Sequence, residues 1–233
     1  MSSRLRSLTR AVADALAGLV YPSLCLGCER RLPSADGVPV CAGCLRALPS
    51  PPETAALDQI RSREAGLAVA RATALWAYDD SGTVRRVQHA LKYGGQASLG
   101  HPLGDLMGLA RGGGDVDLVV PVPLSRPRFL ERGYNQSGAL AEGLADAIHV
   151  ELDAGVLQRP RPTRTQTRLS SSERWDNVAG AFKVPAGSGL DGTRVLLVDD
   201  VLTTGATLTA AAQALAGAGA HVEAAVLAFA GGA

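Results

Sequence analysis

Aromatic residues are scarce. Phe, Trp and Tyr make up 4% of the 233 residues, which leaves no obvious platform for stacking the bases of single-stranded nucleic acid. Surplus charge is missing too: 23 basic side chains against 22 acidic ones give a net charge of +1. Bulk electrostatics therefore supply no strong pull toward nucleic acid or an anionic membrane. No apolar run approaches the roughly 20 residues that span a bilayer, and no repeat with a period of roughly 20–50 residues is visible. Lysine is nearly absent, Lys92 and Lys183 standing against 21 Arg. In a chain so rich in Ala and Gly, that bias is discounted as a phosphate-binding signal. What remains is ordinary globular material. Hydrophobic residues at 46% and charged ones at 19% exclude a disordered tail or a fibrous repeat, and the length allows a sizeable core in one or two domains.

The first 22 residues carry an Arg-bearing head and a short apolar stretch, superficially like a secretion signal. Asp14 interrupts that stretch, and the cleanest apolar run, 15–21, is marginal for an export signal. With helical period, Leu5, Leu8, Val12, Leu16 and Leu19 share one face. This predicts an amphipathic helix packing on the body, with a membrane-surface or partner-docking helix as the alternative, and a cytoplasmic protein. Composition then divides the chain into 1–50 (the helix and a Cys-, Gly- and Pro-rich module), a connector over 51–70 and a larger domain over 71–233. In the last, strand-like stretches at 74–78, 117–123, 156–160, 194–200 and 221–230 alternate with helix-like ones at 83–92, 99–111, 134–150 and 205–217. Runs such as LVV and VLLV lack a two-residue alternation, the mark of strands buried on both faces. The fold class expected is α/β, a parallel sheet flanked by helices.

Four cysteines fall as Cys25-x-x-Cys28 and Cys41-x-x-Cys44, separated by 12 residues. Two such pairs offer four soft ligands at a spacing suited to tetrahedral, structural zinc. The competing disulfide reading is disfavoured in a reducing compartment.

The densest motif is VLLVDDVLTTGATLT at 195–209. A buried strand leads to Asp199 and Asp200, and a short turn, Val201 to Thr207, enters a helix. Ligands of open α/β sheets sit outside the carboxyl ends of the strands, where this turn must lie. Gly205 allows a tight turn, and helix-start N–H groups with the Thr203, Thr204 and Thr207 hydroxyls make a phosphate cradle. The carboxylates suit hydroxyls, or water on a divalent cation, so a ribose 5-phosphate fits the pair. The alternative is an N-capped helix with no ligand. A second buried strand runs into Val122, Pro123, Leu124 and Ser125, followed by Arg126, Arg128 and Arg132. Arg donors fit anions, although three solvated arginines on a loop would read the same way. The polar stretch at 160–182 is long enough to be functional or disordered. Lys92 either serves a substrate mouth or merely complements a helix C-terminus.

VDDVLTTGAT (198–207) resembles the signature of type I phosphoribosyltransferases, whose substrate is phosphoribosyl pyrophosphate (PRPP). The resemblance implies that Asp199 and Asp200 take the ribose hydroxyls as catalytic residues, while Val201, Thr203, Thr204, Gly205, Ala206 and Thr207 take the 5-phosphate. It further implies a pyrophosphate loop of Val122, Pro123, Leu124, Ser125, Arg126 and Arg132, a flexible loop with Arg164, Gln166, Thr167 and Arg168, and magnesium carried with PRPP. A narrower resemblance spans about 22–230. The two CxxC pairs, ALKYGG (90–95), VVPVPLSRPRFLERGYNQSGALAEGLA (119–145) and RTQTRLSSSERWDNVAGAF (164–182) are similar to the ComF/ComFC family, linked to DNA uptake. That implies zinc on Cys25, Cys28, Cys41 and Cys44. One position departs from the wider pattern: hypoxanthine/guanine-type enzymes carry Asp just before the Thr-Gly, where Thr203 stands here. A 6-oxopurine acceptor is therefore disfavoured. Three functions follow from the resemblance: a phosphoribosyltransferase of undefined acceptor, an accessory module contacting single-stranded DNA or a helicase-like ATPase, and a nucleotide-sensing regulator. A homodimer is left open.

Overall fold

A computed structural model describes residues 23–33, 37–61, 69–79, 81–93, 97–160 and 180–231. The expected N-terminal helix and the loop positions Arg164, Gln166, Thr167 and Arg168 lie outside them. Two short helices, α1 (Ala42–Ala47) and α2 (Ala55–Arg61), precede strand β1 (Val69–Ala77). There follow α3 (Thr83–Tyr93), α4 (Gly100–Arg111), β2 (Leu118–Pro121), α5 (Arg126–Arg132) and α6 (Gln136–Ile148). Strand β3 (Glu151–Leu152), β4 (Arg194–Leu202), α7 (Ala206–Ala216) and β5 (His221–Phe229) complete the elements among the described residues. The five strands form one sheet in the order β1-β5-β4-β2-β3, every pairing parallel. This is the helix-flanked parallel sheet that the unalternating apolar runs predict.

Strand β4 shows why those runs are legible. Val195, Leu196, Leu197 and Val198 are all fully buried, and alternate residues enter opposite layers because a strand's side chains point to opposite faces. Val195 and Leu197 join Ile60 of α2 and Leu208, Ala211 and Leu215 of α7. Leu196 and Val198 join Val84, Val87 and Leu91 of α3, Leu103 of α4 and Leu140 and Leu144 of α6. Each such side chain contributes about 1.5–3 kcal/mol on burial. The second layer also takes in Cys25 and Val40, so the cysteine segment shares a core with the sheet.

Several boundaries differ from the sequence reading. The stretch 156–160 is not a strand. Val156 and Leu157 are buried, but Gln158 makes only an isolated antiparallel bridge with Lys183, so burial there comes without a ladder. The arginine-bearing loop contains a helix, α5, entered from Ser125 with a proline in its first turn and closed by Gly133 in the left-handed conformation. Strand β4 does not stop at the doublet but runs on through Val201 and Leu202, still paired with Ala228 and Phe229 of β5. Strand β1 begins at Val69, five residues earlier than the apolar pattern suggests, because it pairs with β5 along its whole length.

Candidate functional site

The carboxyl ends of β2 and β4 open onto a cavity of about 270 Å³. Its floor is Asp199 and Asp200, and one wall is the continuous stretch Val201 to Leu208. Gly205 has φ of +83° and opens α7, a conformation that only glycine adopts without strain. The amide of Ala206 meets Thr204 Oγ1 at 3.5 Å. The first-turn N–H groups of any helix lack intrahelical partners and carry its positive dipole end, and here that turn lines the cavity.

The opposite wall is gathered from separate elements. Val122, Pro123, Leu124 and Ser125 line it, as the sequence reading expects of that loop, together with Arg128 and Arg132 of α5. Arg126 does not: it is exposed at the start of α5, off the lining. Lys92 and Tyr93 arrive from α3, Gln136 and Ser137 from α6, and Arg159 from the segment after β3. Asn135 caps α6 by accepting from Ser137 N at 3.2 Å while its amide donates to Val122 O at 3.1 Å, which ties helix and loop together.

The doublet is deeply set. Asp200 accepts from Lys92 Nζ at 2.7 Å, Gln88 Nε2 at 3.0 Å and Gln136 Nε2 at 3.2 Å. Asp199 Oδ1 accepts from Ser137 Oγ at 2.8 Å and from the Asp200 amide at 2.9 Å. Burial opposes charge on both, and the partners decide the outcome. Lys92 overrules burial at Asp200 and holds that carboxyl below its usual range. Asp199 sits beside this second carboxylate and is pushed up by burial and by Asp200. The pair thus rests as one carboxylate firmly ionised by an internal cation and one poised to gain or lose a proton.

Around this floor the lining carries Lys92, Arg128, Arg132 and Arg159, four cations against two carboxyls. Arg132 stacks its guanidinium 5.3 Å from the Tyr93 ring centroid. Its Nε and Nη1 are buried and make no hydrogen bond among the described residues, and the same holds for Gln136 Oε1. Buried N–H groups on a cation are costly when unpaired, and an anion in the cavity would satisfy them. Burial also opposes the charge on Arg159, which faces Asp199.

Sequence reasoning misses Arg159 and Gln88, and leaves Lys92 between two readings. Arg159 falls in the stretch taken for a strand. The rarity of lysine is the one available signal for Lys92. Nothing local marks Gln88, whose role comes from a contact across 112 residues of chain.

The four cysteines converge as their spacing predicts. The Sγ atoms of Cys25, Cys28, Cys41 and Cys44 lie within 4.8 Å of one another, and all four are free thiols. Cys28 and Cys41 are 3.7 Å apart, close to the edge of a sulfur tetrahedron with bonds of about 2.3 Å, the zinc–thiolate length. Burial disfavours the Cys25 thiolate, but amide N–H groups of Cys41, Cys28 and Gly27 outweigh it and bring the thiol to about 6. Cys44 is raised to about 12, first by its contact with Cys28. Thiols pushed in opposite directions within one cluster, Cys25 down and Cys44 up, are what a shared cation resolves, so four converging sulfurs fit a closed structural zinc site.

Comparison with known proteins points to the same fold. The phosphoribosyl transferase domain model matches residues 130–233. The chain is 38% identical over 99 residues to DNA utilization protein YhgH of Escherichia coli K12, covering 42% of this chain and 43% of that protein. It is 37% identical over 93 residues to competence protein F of Haemophilus influenzae, covering 40% of this chain and 41% of that one. Adenine phosphoribosyltransferase of Rhodococcus opacus is 40% identical over 92 residues, 39% of this chain and 48% of that enzyme. The matched parts are less than half the length of these relatives. The resemblance to the ComF family, first carried by short motifs, is now supported by a domain match over the C-terminal part of the chain, by named relatives and by an assembled four-cysteine cluster.

Proposed function

We propose that the cavity binds PRPP and that the protein transfers its ribose 5-phosphate group to a nitrogen acceptor, releasing pyrophosphate. One observation carries this reading. A helix-start turn suited to a monophosphate and a cluster of partly buried cations line the same cavity above an acidic floor. The 5-phosphate goes to Thr203 through Thr207, the ribose hydroxyls to Asp199 and Asp200, and the pyrophosphate to Arg132 and Arg159. In the reaction the C1–oxygen bond breaks with its electron pair leaving on pyrophosphate. The acceptor nitrogen bonds C1 from the opposite face and gives up its proton. Catalysis then comes from positioning and from cations already aimed at the leaving group, without a side-chain nucleophile. Magnesium, which the family resemblance implies, neutralises phosphate charge when bound. Asp199 is the better placed carboxyl beside it, because both Asp200 oxygens are already engaged.

Calorimetry with PRPP and magnesium, followed by a pyrophosphate-release screen over nitrogen acceptors, tests the reading. Binding that disappears in Asp199→Asn and Asp200→Asn supports it. Wild-type protein that gives no PRPP heat overturns it.

A second reading follows from the relatives. Two carry names that refer to DNA utilization and competence, which favours an accessory role in DNA import without turnover. It predicts salt-sensitive binding of single-stranded DNA that survives both substitutions.

A further inference from the structure

The cysteine cluster and the cavity are joined by helix α3, and the joint is polar as well as apolar. At its first turn, Asp79 accepts from the amides of Thr83 (3.0 Å) and Val84 (2.9 Å). Arg86 then reaches back into the cysteine segment. Its Nε donates to Leu26 O at 2.5 Å and its Nη2 to Gly27 O at 3.5 Å, between Cys25 and Cys28. The same guanidinium holds Ser81 O at 3.0 Å and Thr83 Oγ1 at 3.3 Å. Space here is tight: a Cβ on Gly27 would lie 2.8 Å from Cys44 Sγ and 3.4 Å from Thr83 Cγ2. Further along the same helix, Gln88 and Lys92 hold Asp200. Tyr78 donates to Gln88 Oε1 at 2.5 Å, and Tyr134 donates to Leu91 O. Six residues separate Arg86 from Lys92, about 9 Å of helix at 1.5 Å per residue.

A helix pinned at one end by the carbonyls of a metal-ligand turn and at the other by a site carboxylate transmits position between them. We propose that Arg86 is a positioning residue that couples metal occupancy of the four-cysteine cluster to ligand binding at Asp200, with α3 as the rigid strut. The coupling is positive: filled cysteines fix Leu26 O and Gly27 O, hence Arg86, hence Lys92 and Gln88 on the carboxylate. Binding linkage is reciprocal, so the cavity's ligand must tighten metal binding by the same factor. The ligand half of this inference rests on the PRPP reading above; the strut itself does not.

Three measurements on the full chain test it. Zinc affinity is measured by chelator competition with and without PRPP and magnesium, and a shift of about 5- to 30-fold is expected. Arg86→Ala should keep one equivalent of zinc, weaken PRPP by the same order and abolish the linkage, with Arg86→Lys recovering part of it. Amide hydrogen exchange gives a readout without PRPP. Stripping zinc, or Arg86→Ala with zinc bound, should speed exchange along 86–93 and 199–202. PRPP affinity unchanged in Arg86→Ala, or faster exchange confined to 25–44, overturns the proposal. Wild-type protein that binds no PRPP overturns the PRPP reading instead, and the exchange pattern then decides the strut alone.

Discussion

The two walls of the cavity are built in opposite ways. One is a single run of sequence, Asp199 to Leu208, in which a buried strand, a glycine turn and a helix start follow one another without interruption. The other is assembled from α3, the loop after β2, α5, α6 and the segment after β3. The first wall is contiguous in sequence. The second exists only when the sheet and helices are in place. Its cations therefore report on the fold as much as on the ligand.

Substitutions separate the walls. The largest effect is expected at their junction. Asp200→Ala leaves Lys92 without its carboxylate in a site where the two side chains are 17% and 6% exposed, and breaking such a pair from one side costs about 3–5 kcal/mol. Urea denaturation at neutral pH would measure it. A loss below about 1 kcal/mol would mean that Lys92 finds another partner and that the walls are independent.

Arg132→Ala sharpens the contrast from the assembled side. Two of its buried nitrogens have no partner among the described residues, so folding stability should hold or rise slightly. Affinity for PRPP should fall roughly 10- to 100-fold, the range of a lost charged hydrogen bond or two. Parallel thermal melts and calorimetry distinguish this outcome from a general loss of structure.

A smaller effect concerns pH. Asp199 titrates at about 7 in the folded protein against 3.8 for the free side chain. Between those values the folded state holds a proton that the unfolded chain has lost, so the contribution of Asp199 to stability declines as pH rises from about 4 to about 7. Ribose hydroxyls and the companion cation require the ionised form, so PRPP affinity should rise by up to about tenfold from pH 6 to 8. Asp200, Lys92 and Arg159 are the charged groups that surround it. Asp199→Asn should flatten both slopes, and a slope that persists would move the titration elsewhere, phosphate included.

The same contrast explains what could be read from sequence. The acidic doublet, the threonine turn and the CxxC spacing are legible because their chemistry is carried by neighbours in the chain. The parallel sheet is legible because both-face burial leaves unbroken apolar runs such as Val195 to Val198. Helix α5 is hidden beneath an arginine count, although Ser125, Pro127 and Gly133 mark its ends. The pairing of Lys92 with Asp200 has no local trace, since it spans over a hundred residues and depends on α3 lying against β4. The mistaken strand at 156–160 reflects an ambiguity of short apolar runs: burial of Val156 and Leu157 is satisfied by packing alone.

The ammonium of Lys92 resting on Asp200 has one more consequence. A lone pair of acids at a protein surface would attract any passing calcium or zinc ion. Here the more acidic member is already neutralised from within, and the other is half protonated near neutrality. The pocket by itself therefore offers little to a bare metal ion, and a cation enters most favourably as the escort of a polyphosphate, which supplies the remaining ligands itself.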